Sequence, residues 1–259
     1  MRILITGYKG FIGQNMVKAL SEHDLVLYEW GDGTVPLMGI DRVIHLGAIS
    51  STTCMDVHAV MEQNYFFTVD LLYRCNLYCI PIQIASSASI YGLTNLSFCE
   101  DDEPNPSNYY AQSKYLVEHH VKRNGFSMPV QLFRYFNVYG PHEDHKGDQA
   151  SPYHKFRKQA VETGVIKLFE GSENFNRDFV PVERIIEVHK AFFNVKESGV
   201  WNVGTGNVKS FAQVAKEIAK EVGAVVQEIP MPNNLIGSYQ KYTRADLTKL
   251  NKTLGASHG

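Results

Sequence analysis

Residues 2–13 read RILITGYKGFIG, and this stretch decides the fold. An apolar run ends at Thr6, and three evenly spaced glycines follow before a helical pattern begins. Glycines at this spacing allow a tight turn and close backbone approach to a pyrophosphate, which the N–H groups of the helix N-terminus bind. An ordinary glycine turn is the alternative. The strand before and the helix after favour dinucleotide binding, with the candidate cofactor residues Gly7, Gly10, Phe11, Ile12 and Gly13.

Beyond this stretch, strand and helix patterns alternate along the chain. Strands are predicted at residues 2–6, 25–28, 42–46, 80–85, 130–136 and 200–203, and helices at 11–21, 55–78, 110–124, 184–195 and 211–222. Such alternation is typical of a parallel sheet covered by helices. Residues 140–178 are rich in glycine, charge and isolated aromatics, which favours a loop-rich lobe. We therefore expect an α/β fold, a Rossmann-type doubly wound parallel sheet (residues 1–138 and 180–206) with a small substrate-binding lobe (residues 139–179 and 207–259).

Glu29 lies at the end of the second predicted strand. A carboxylate about 20 residues beyond the glycines accepts hydrogen bonds from the ribose hydroxyls of a dinucleotide. It also repels a 2′-phosphate, so Glu29 favours NAD over NADP. A solvated acid at the end of a strand is the alternative.

The link between Glu29 and the next strand is short. It comprises residues 30–41, and its glycines and its proline (Gly31, Gly33, Pro36 and Gly39) oppose a stable helix. Twelve extended residues span about 40 Å, which is enough to reach the start of the Arg42 strand without a helix. We expect an irregular coil here, loss of the usual third strand, and the second strand at the edge of the sheet.

Three polar residues further along form a candidate catalytic set. Tyr110 and Lys114 lie one helical turn apart on the same helix face, and Ser87 follows the predicted strand at 80–85. A nearby ammonium favours the phenolate, so we expect Lys114 to lower the pKa of Tyr110. Tyr110 could then accept the proton of a substrate alcohol as hydride leaves for a nicotinamide cofactor, with Ser87 bonded to the same oxygen.

Composition excludes several functions. The net charge of −2 does not favour binding to nucleic acid or to an anionic membrane, which both attract strongly basic proteins. No apolar run approaches the roughly 18 residues that a membrane span needs. The four cysteines lack zinc-type spacing, and the loop His142–His145 is not expected to bind metal. We expect a cytoplasmic protein in a reducing compartment.

The motifs together carry a family resemblance. The chain resembles the extended short-chain dehydrogenase/reductases and, among them, the ADP-glyceromanno-heptose 6-epimerases. The shared segments include HLGAISSTT (45–53), ASSASIYG (85–92), FRYFNVYGP (133–141), HKG (145–147), LFEGSENF (168–175) and RDFV (177–180). The resemblance covers most of the chain. It departs in the short link at 30–41 and in a final helix expected to be missing after Leu250.

The resemblance implies oxidation and re-reduction at carbon 6 of an ADP-linked heptose. It implies that Lys146 acts as a second acid/base and that the cofactor is NADP, against the NAD that Glu29 favours. It places Asn64 at the cofactor. For Asn64 and His154, structural hydrogen bonding is the alternative. We also expect a homo-oligomer. The substrate-binding residues implied are Ser50, Ser51, Asn137, His154, Arg177 and Tyr239.

Two other functions stay open. A related enzyme that epimerises another nucleotide sugar at carbon 4, or dehydrates it, would keep Ser87, Tyr110 and Lys114 but would not need Lys146 as a base. A non-catalytic dinucleotide-binding protein would need none of them, and the complete set at Tyr110 and Lys114 argues against it.

Overall fold

A six-stranded parallel sheet forms the centre of the protein. The computed structural model describes residues 1–93, 98–232 and 240–255. The sheet order is β10-β5-β4-β3-β1-β2, which confirms the predicted Rossmann-type fold. Its strands are β1 (Arg2–Thr6), β2 (Asp24–Tyr28), β3 (Arg42–His45), β4 (Ile82–Ser87), β5 (Val130–Tyr135) and β10 (Gly199–Val203).

Helices cover both faces of the sheet because apolar side chains leave each strand in alternating directions. Ile3 and Ile5 of β1 pack on one side, where α1 (Phe11–Ala19) and α6 (Val182–Ala191) lie. Leu4, from the same strand, packs on the other side, against α3 (Phe67–Leu77) and α4 (Tyr109–Asn124). The sheet is therefore a buried middle layer, and its carboxyl edge carries the functional loops.

The short link behaves as its length and composition predict. Residues 29–41 contain no helix and no strand, and β2 lies at the edge of the sheet. The coil nevertheless packs against the core, since Val35, Leu37 and Ile40 are buried in the cluster beneath α3. The Arg74 guanidinium donates a hydrogen bond to the Val35 carbonyl at 2.7 Å. An ordered coil thus covers the surface that a helix would otherwise cover.

The long helix predicted at residues 55–78 is interrupted. It consists of α2 (Val57–Val60), a π-helical segment (Met61–Phe66) and α3. Asp56 caps its start by accepting a hydrogen bond from the Ala59 N–H at 3.0 Å. Wide turns of this kind recur at functional sites, and the segment contains Asn64.

The second lobe has more regular structure than its composition predicts. Within the stretch expected to be loop-rich lie α5 (Pro152–Thr163) and β7 (Val165–Phe169), and β7 pairs in parallel with β12 (Val225–Ile229). Only Phe156 and Ala160 of α5 are buried, so its apolar stripe is too narrow to recognise from the pattern. Ser151 caps α5 with Pro152 in its first turn, a local signal that the periodicity analysis did not use. The predicted helix at 211–222 is α7 (Phe211–Val222).

Two further short strand pairs lie in the lobe and at its junction with the sheet. They involve β6 (Asn137–Tyr139), β8 (Asn176–Arg177), β9 (Phe179–Pro181) and β11 (Lys209–Ser210). The β6 strand pairs with β9, and β8 pairs with β11.

Asp178 connects the two lobes through its buried carboxylate. One oxygen accepts hydrogen bonds from the N–H and the hydroxyl of Thr205, and the other accepts from the N–H groups of Gly206 and Ala245. Beyond Ala245 the chain forms α8 (Thr248–Leu254), a short helix that the sequence pattern did not predict. Leu250 anchors α8 in the core beside Trp201.

Candidate active site

The glycine turn after β1 is as close-packed as its sequence predicts. Gly7 has φ +73, and a Cβ added there would lie 2.5 Å from the Gly47 backbone. A Cβ on Gly13 would lie 2.1 Å from the Gly7 carbonyl oxygen. These glycines therefore let β1, α1 and the loop after β3 approach one another. Gly10 is the N-cap of α1 and supplies no side chain to the first helical N–H groups.

The first turn of α1 thus offers backbone donors at the point where strand order reverses, between β1 and β3. Phe11 and Ile12 are the first two residues of this helix. A pyrophosphate fits this turn, because the dipole and the N–H groups of a helix N-terminus stabilise an anion. The residues present are therefore compatible with a dinucleotide cofactor.

Glu29 reaches back over the same turn. Its Oε1 accepts a hydrogen bond from the Lys9 N–H at 2.6 Å. A small pocket lies beside it, lined by Tyr28, Trp30, Phe67 and the backbone of Gly7 and Gly47, among others. The carboxylate therefore lies beside the glycine turn, and its contact with a ribose stays a prediction.

The three predicted catalytic residues converge where β4 ends and α4 begins. Ser87 is the last residue of β4, and its hydroxyl is hydrogen-bonded to Tyr110. The Lys114 ammonium lies 6.0 Å from the centroid of the Tyr110 ring and donates a hydrogen bond to the Ala85 carbonyl at 2.8 Å. Asn108 caps α4 by accepting from the Ala111 N–H at 2.8 Å, which fixes the turn that presents Tyr110.

The electrostatics of this cluster differ from the prediction in one respect. Burial raises the pKa of Tyr110 above its usual value, and the hydrogen bond with Ser87 only partly opposes this effect. Lys114 was expected to lower the pKa of Tyr110, but its ammonium is bonded to the Ala85 carbonyl instead. Burial lowers the pKa of Lys114 itself to about 8, while the Glu118 carboxylate raises it. Charge at this site is therefore costly, and the phenol is favoured over the phenolate.

Lys146 lies beside the glycine turn. Its ammonium is 4.9 Å from the centroid of the Phe11 ring and 3.5 Å from Oε2 of Glu143. Glu143 is fully buried, and its carboxylate accepts hydrogen bonds from the Gly140 N–H (3.1 Å) and from the N–H and hydroxyl of Ser151 (both 2.7 Å). A buried carboxylate thus attaches the Lys146 loop to β6 and α5, next to the first turn of α1.

A large cleft opens between the sheet and the second lobe. Asn137 and Arg177, two of the predicted substrate-binding residues, both line it. The Arg177 guanidinium donates to the carbonyls of Asn176 and Gln240 and lies 5.5 Å from the centroid of the Phe211 ring. Lys155, Lys167, Gln149, Thr52 and Phe175 also line the cleft and were not predicted.

Three other predicted substrate residues are not among those that line the cleft: Ser50, Ser51 and His154. Ser50 and Ser51 belong to the loop after β3, but the cleft is lined by their neighbour Thr52. His154 does not line the cleft, and its Nε2 lies 3.8 Å from an oxygen of Asp144 instead. Its neighbour Lys155 does line the cleft, and substrate binding by His154 stays a prediction. Tyr239 lies outside the described residues.

Asn64 is fully buried and acts within the protein. Its side chain exchanges hydrogen bonds with the Ile49 N–H (2.8 Å) and carbonyl (2.9 Å), and donates to the Ser113 hydroxyl at 3.0 Å. Both amide N–H groups are therefore used. These bonds match the structural alternative for Asn64, a link between the loop after β3 and α4, and its direct contact with the cofactor stays a prediction.

Membrane spans and metal sites were sought in residues 1–93, 98–232 and 240–255, which are the ones that the structure describes. Within these ranges, no helix is both long enough and apolar enough to cross a membrane. The same ranges hold no cluster of three or more His, Cys, Asp or Glu side chains arranged for a metal ion. In the loop His142–His145, the Glu143 carboxylate is already engaged by Gly140 and Ser151.

Comparison with known proteins adds a family and several similar folds. The profile of the NAD dependent epimerase/dehydratase family matches residues 3–204. An ADP-L-glycero-D-manno-heptose-6-epimerase from Helicobacter pylori is similar, with 27% identity, a TM-score of 0.86 and coverage of 98% of this chain and 89% of that one. A Thermus thermophilus UDP-glucose 4-epimerase in complex with NAD has 25% identity, a TM-score of 0.80 and coverages of 97% and 92%. A Methanobrevibacter ruminantium UDP-N-acetylglucosamine 4-epimerase shares the fold at 22% identity, with a TM-score of 0.86 and coverages of 98% and 91%.

Proposed function

Because the chain belongs to the NAD-dependent epimerase/dehydratase family, we propose that it epimerises a nucleotide sugar, with an ADP-linked heptose as substrate and carbon 6 as the reacting centre. The observation that carries this proposal is the presence of two separate acid/base groups. Tyr110 stands on α4 beside Ser87, and Lys146 stands on a loop beside Phe11. A reaction that removes a hydride from one face of a carbon and returns it to the other benefits from a proton carrier on each side.

Each residue then has a defined task. The nicotinamide dinucleotide, when bound, supplies a hydride acceptor that can return the hydride. Tyr110 exchanges the alcohol proton, and Ser87 holds the same oxygen. Lys114 keeps a positive charge beneath the Tyr110 ring, 6.0 Å from its centroid. Lys146 serves as the second acid/base. Residues 139–179 and 207–259 supply the sugar-nucleotide lobe, where the Arg177 guanidinium suits paired phosphate oxygens.

The cofactor in this proposal is NAD rather than NADP. Glu29 lies over the glycine turn, and the Asp32 carboxylate accepts a hydrogen bond from the Glu29 N–H at 2.8 Å. Two carboxylates at this corner disfavour a 2′-phosphate. Residues 30–41 contain no lysine or arginine that could offset them.

The alternative is a carbon-4 epimerase or a dehydratase acting on a UDP-sugar. It has support because the UDP-sugar 4-epimerases reach TM-scores of 0.80 and 0.86. The two proposals differ at Lys146, which only the heptose reaction requires as a base.

The test is to incubate the purified protein and NAD with an ADP-linked heptose and, separately, with UDP-glucose, and to follow both by proton NMR. We expect the heptose to convert to its carbon-6 epimer and UDP-glucose to remain unchanged. Conversion of UDP-glucose alone would overturn the heptose assignment and favour the alternative. Binding of NAD without conversion of any tested sugar would favour a non-catalytic protein.

A further inference from the structure

Trp30 occupies a position that neither the catalytic cluster nor the substrate cleft explains. It is 47% exposed, whereas the other tryptophan, Trp201, is fully buried. Trp30 lines the small pocket that also contains Glu29, Gln63 and Phe67. A large aromatic side chain left half exposed beside a carboxylate offers a surface for a flat ligand.

The short link holds Trp30 in this place through a tight turn. The Asp32 N–H donates to the Glu29 carbonyl at 3.1 Å, and the Asp32 carboxylate accepts from the Glu29 N–H at 2.8 Å. Gly31 has φ +96, the left-handed conformation that such a turn assigns to glycine. The Tyr28 hydroxyl donates to the Gly33 carbonyl at 2.9 Å, which attaches the rest of the coil to β2. The turn is therefore bonded on both sides of Trp30.

Neighbouring aromatic rings fix the indole itself. The Phe67 and Trp30 rings form an edge-to-face contact, with a centroid distance of 5.2 Å and an interplanar angle of 83°. The contact covers part of the Trp30 indole, and the rest stays exposed to solvent. Phe67 in turn stacks with Tyr28 at 5.9 Å and 7°. The indole is thus supported by the core of the Rossmann domain.

The order of groups along a dinucleotide indicates what this surface binds. The pyrophosphate belongs at the glycine turn, and the adenosine ribose belongs at Glu29, the acid that ends the second strand. The base lies beyond the ribose, on the side away from the pyrophosphate. At that position the pocket continues from Glu29 to Trp30 and Phe67.

We propose that Trp30 forms the wall of the adenine site, in the place left open by the missing third strand and its helix. The inference rests on the dinucleotide-binding part of the proposed function and is independent of which sugar is converted. The coil replaces the missing elements with one aromatic side chain.

Tryptophan fluorescence tests the proposal directly, since Trp30 is the accessible one of two tryptophans. ADP-ribose, which carries adenine but no nicotinamide, is titrated into the wild-type protein and into Trp30→Phe. We expect a saturable change of fluorescence in the wild type that is absent in Trp30→Phe, although calorimetry still detects binding by that variant. The same fluorescence change in both proteins would overturn the proposal, because it would then come from Trp201.

Affinity provides the second measurement. Base–aromatic stacking predicts that Trp30→Ala weakens ADP-ribose and NAD by about 5- to 100-fold in calorimetry. Nicotinamide mononucleotide, which lacks adenine, should show no such loss. The matched control is Met38→Ala, which truncates an 87% exposed side chain in the same coil and should bind as the wild type does.

Equal affinity of Trp30→Ala and the wild type for ADP-ribose would overturn the adenine wall and leave the enzyme proposal intact. A wild-type protein that binds neither ADP-ribose nor NAD would contradict both. Circular dichroism of each variant separates a loss of binding from a loss of folding, and Trp30→Phe keeps the test valid if Trp30→Ala does not fold.

Discussion

The two proposed acid/base groups, Tyr110 and Lys146, are supported in different ways. Tyr110 lies in the first turn of a regular helix, opposite the end of a central strand, and its surroundings are apolar enough to raise its pKa. Lys146 lies in a short, kinked 3₁₀ segment (Asp144–Gln149) that is bonded to one buried carboxylate, that of Glu143. The difference indicates that a regular helix with a capped N-terminus can hold one of these groups, whereas the segment around Lys146 also uses a buried charge to hold the other.

The largest effect is expected from Tyr110→Phe. Only the hydroxyl can exchange the alcohol proton, and loss of such a group typically lowers turnover by about 10²–10⁴-fold. NAD binding, measured by calorimetry, should change little because the glycine turn is untouched. The matched control is Tyr109→Phe, which alters the exposed neighbouring ring and should keep full turnover. Normal turnover of Tyr110→Phe would show that Tyr110 does not exchange the alcohol proton.

A smaller but distinctive loss is expected from Lys146→Met. Epimerisation of the heptose should fall by about 100-fold, since a proton carrier is missing on one side only. Oxidation on the Tyr110 side should persist and appear as absorbance of the reduced nicotinamide. Lys158→Met, at an exposed lysine of α5, serves as the control and should be neutral. A wild-type rate of heptose epimerisation in Lys146→Met would count against the heptose reaction.

Glu143→Gln tests the buried carboxylate that holds this loop. The amide nitrogen would face the Ser151 N–H and the Lys146 ammonium, so donors would oppose donors at a buried site. We expect a loss of about 1–3 kcal/mol in the free energy of unfolding and a roughly tenfold drop in epimerisation. Denaturant unfolding and NMR measure the two effects. Asp144→Asn removes a neighbouring exposed charge and should change neither, and equal behaviour of the two variants would refute the role of Glu143.

The last effect concerns stability alone and comes from His45, at the end of β3. His45 is fully buried between the hydroxyls of Thr6 (2.6 Å) and Thr68 (2.8 Å), and burial lowers its pKa to about 3. Between pH 6.5 and 3 the unfolded chain binds a proton there and the folded chain does not. Stability should therefore be complete above pH 6.5 and should fall with decreasing pH, by about 1.4 kcal/mol per pH unit from this histidine.

Urea unfolding between pH 7 and pH 4 checks this expectation. His45→Gln keeps a donor and an acceptor for the two threonines but cannot titrate, so its stability should depend less on pH. His189 is also fully buried, and burial lowers its pKa to about 3. It therefore adds the same pH dependence of stability to the wild type and to His45→Gln, so the difference between the two proteins reports His45 alone. An identical pH dependence of the wild type and His45→Gln would show that His45 is not buried in its neutral form.

The sequence predicts the parts of the site whose residues lie within one or two consecutive elements. The glycine turn, the Tyr110–Lys114 spacing and the strand that ends at Ser87 are local patterns. It placed Asn64 at the cofactor and Ser50 and Ser51 at the substrate. These positions depend on how the loop after β3 folds back over Asn64, through contacts that span 15 residues.

The sequence by itself determined the fold class and the path of the short link. Alternating apolar runs require a buried parallel sheet, and a chain of twelve residues rich in glycine and proline has neither the length nor the propensity for a further helix and strand. Length, periodicity and backbone conformation are properties of each segment itself, so they act in the same way whatever the segment packs against.

Only the tertiary structure decided which side chains face one another across the site. The Glu143 carboxylate lies inside because the chain returns at Ser151, eight residues later, with two donors for it. Trp30 meets Glu29 and Phe67 at one pocket because the coil turns back over α3. Whether a charge is buried or a pocket opens depends on groups that come together from distant parts of the chain. A local sequence pattern does not specify the distances between such groups.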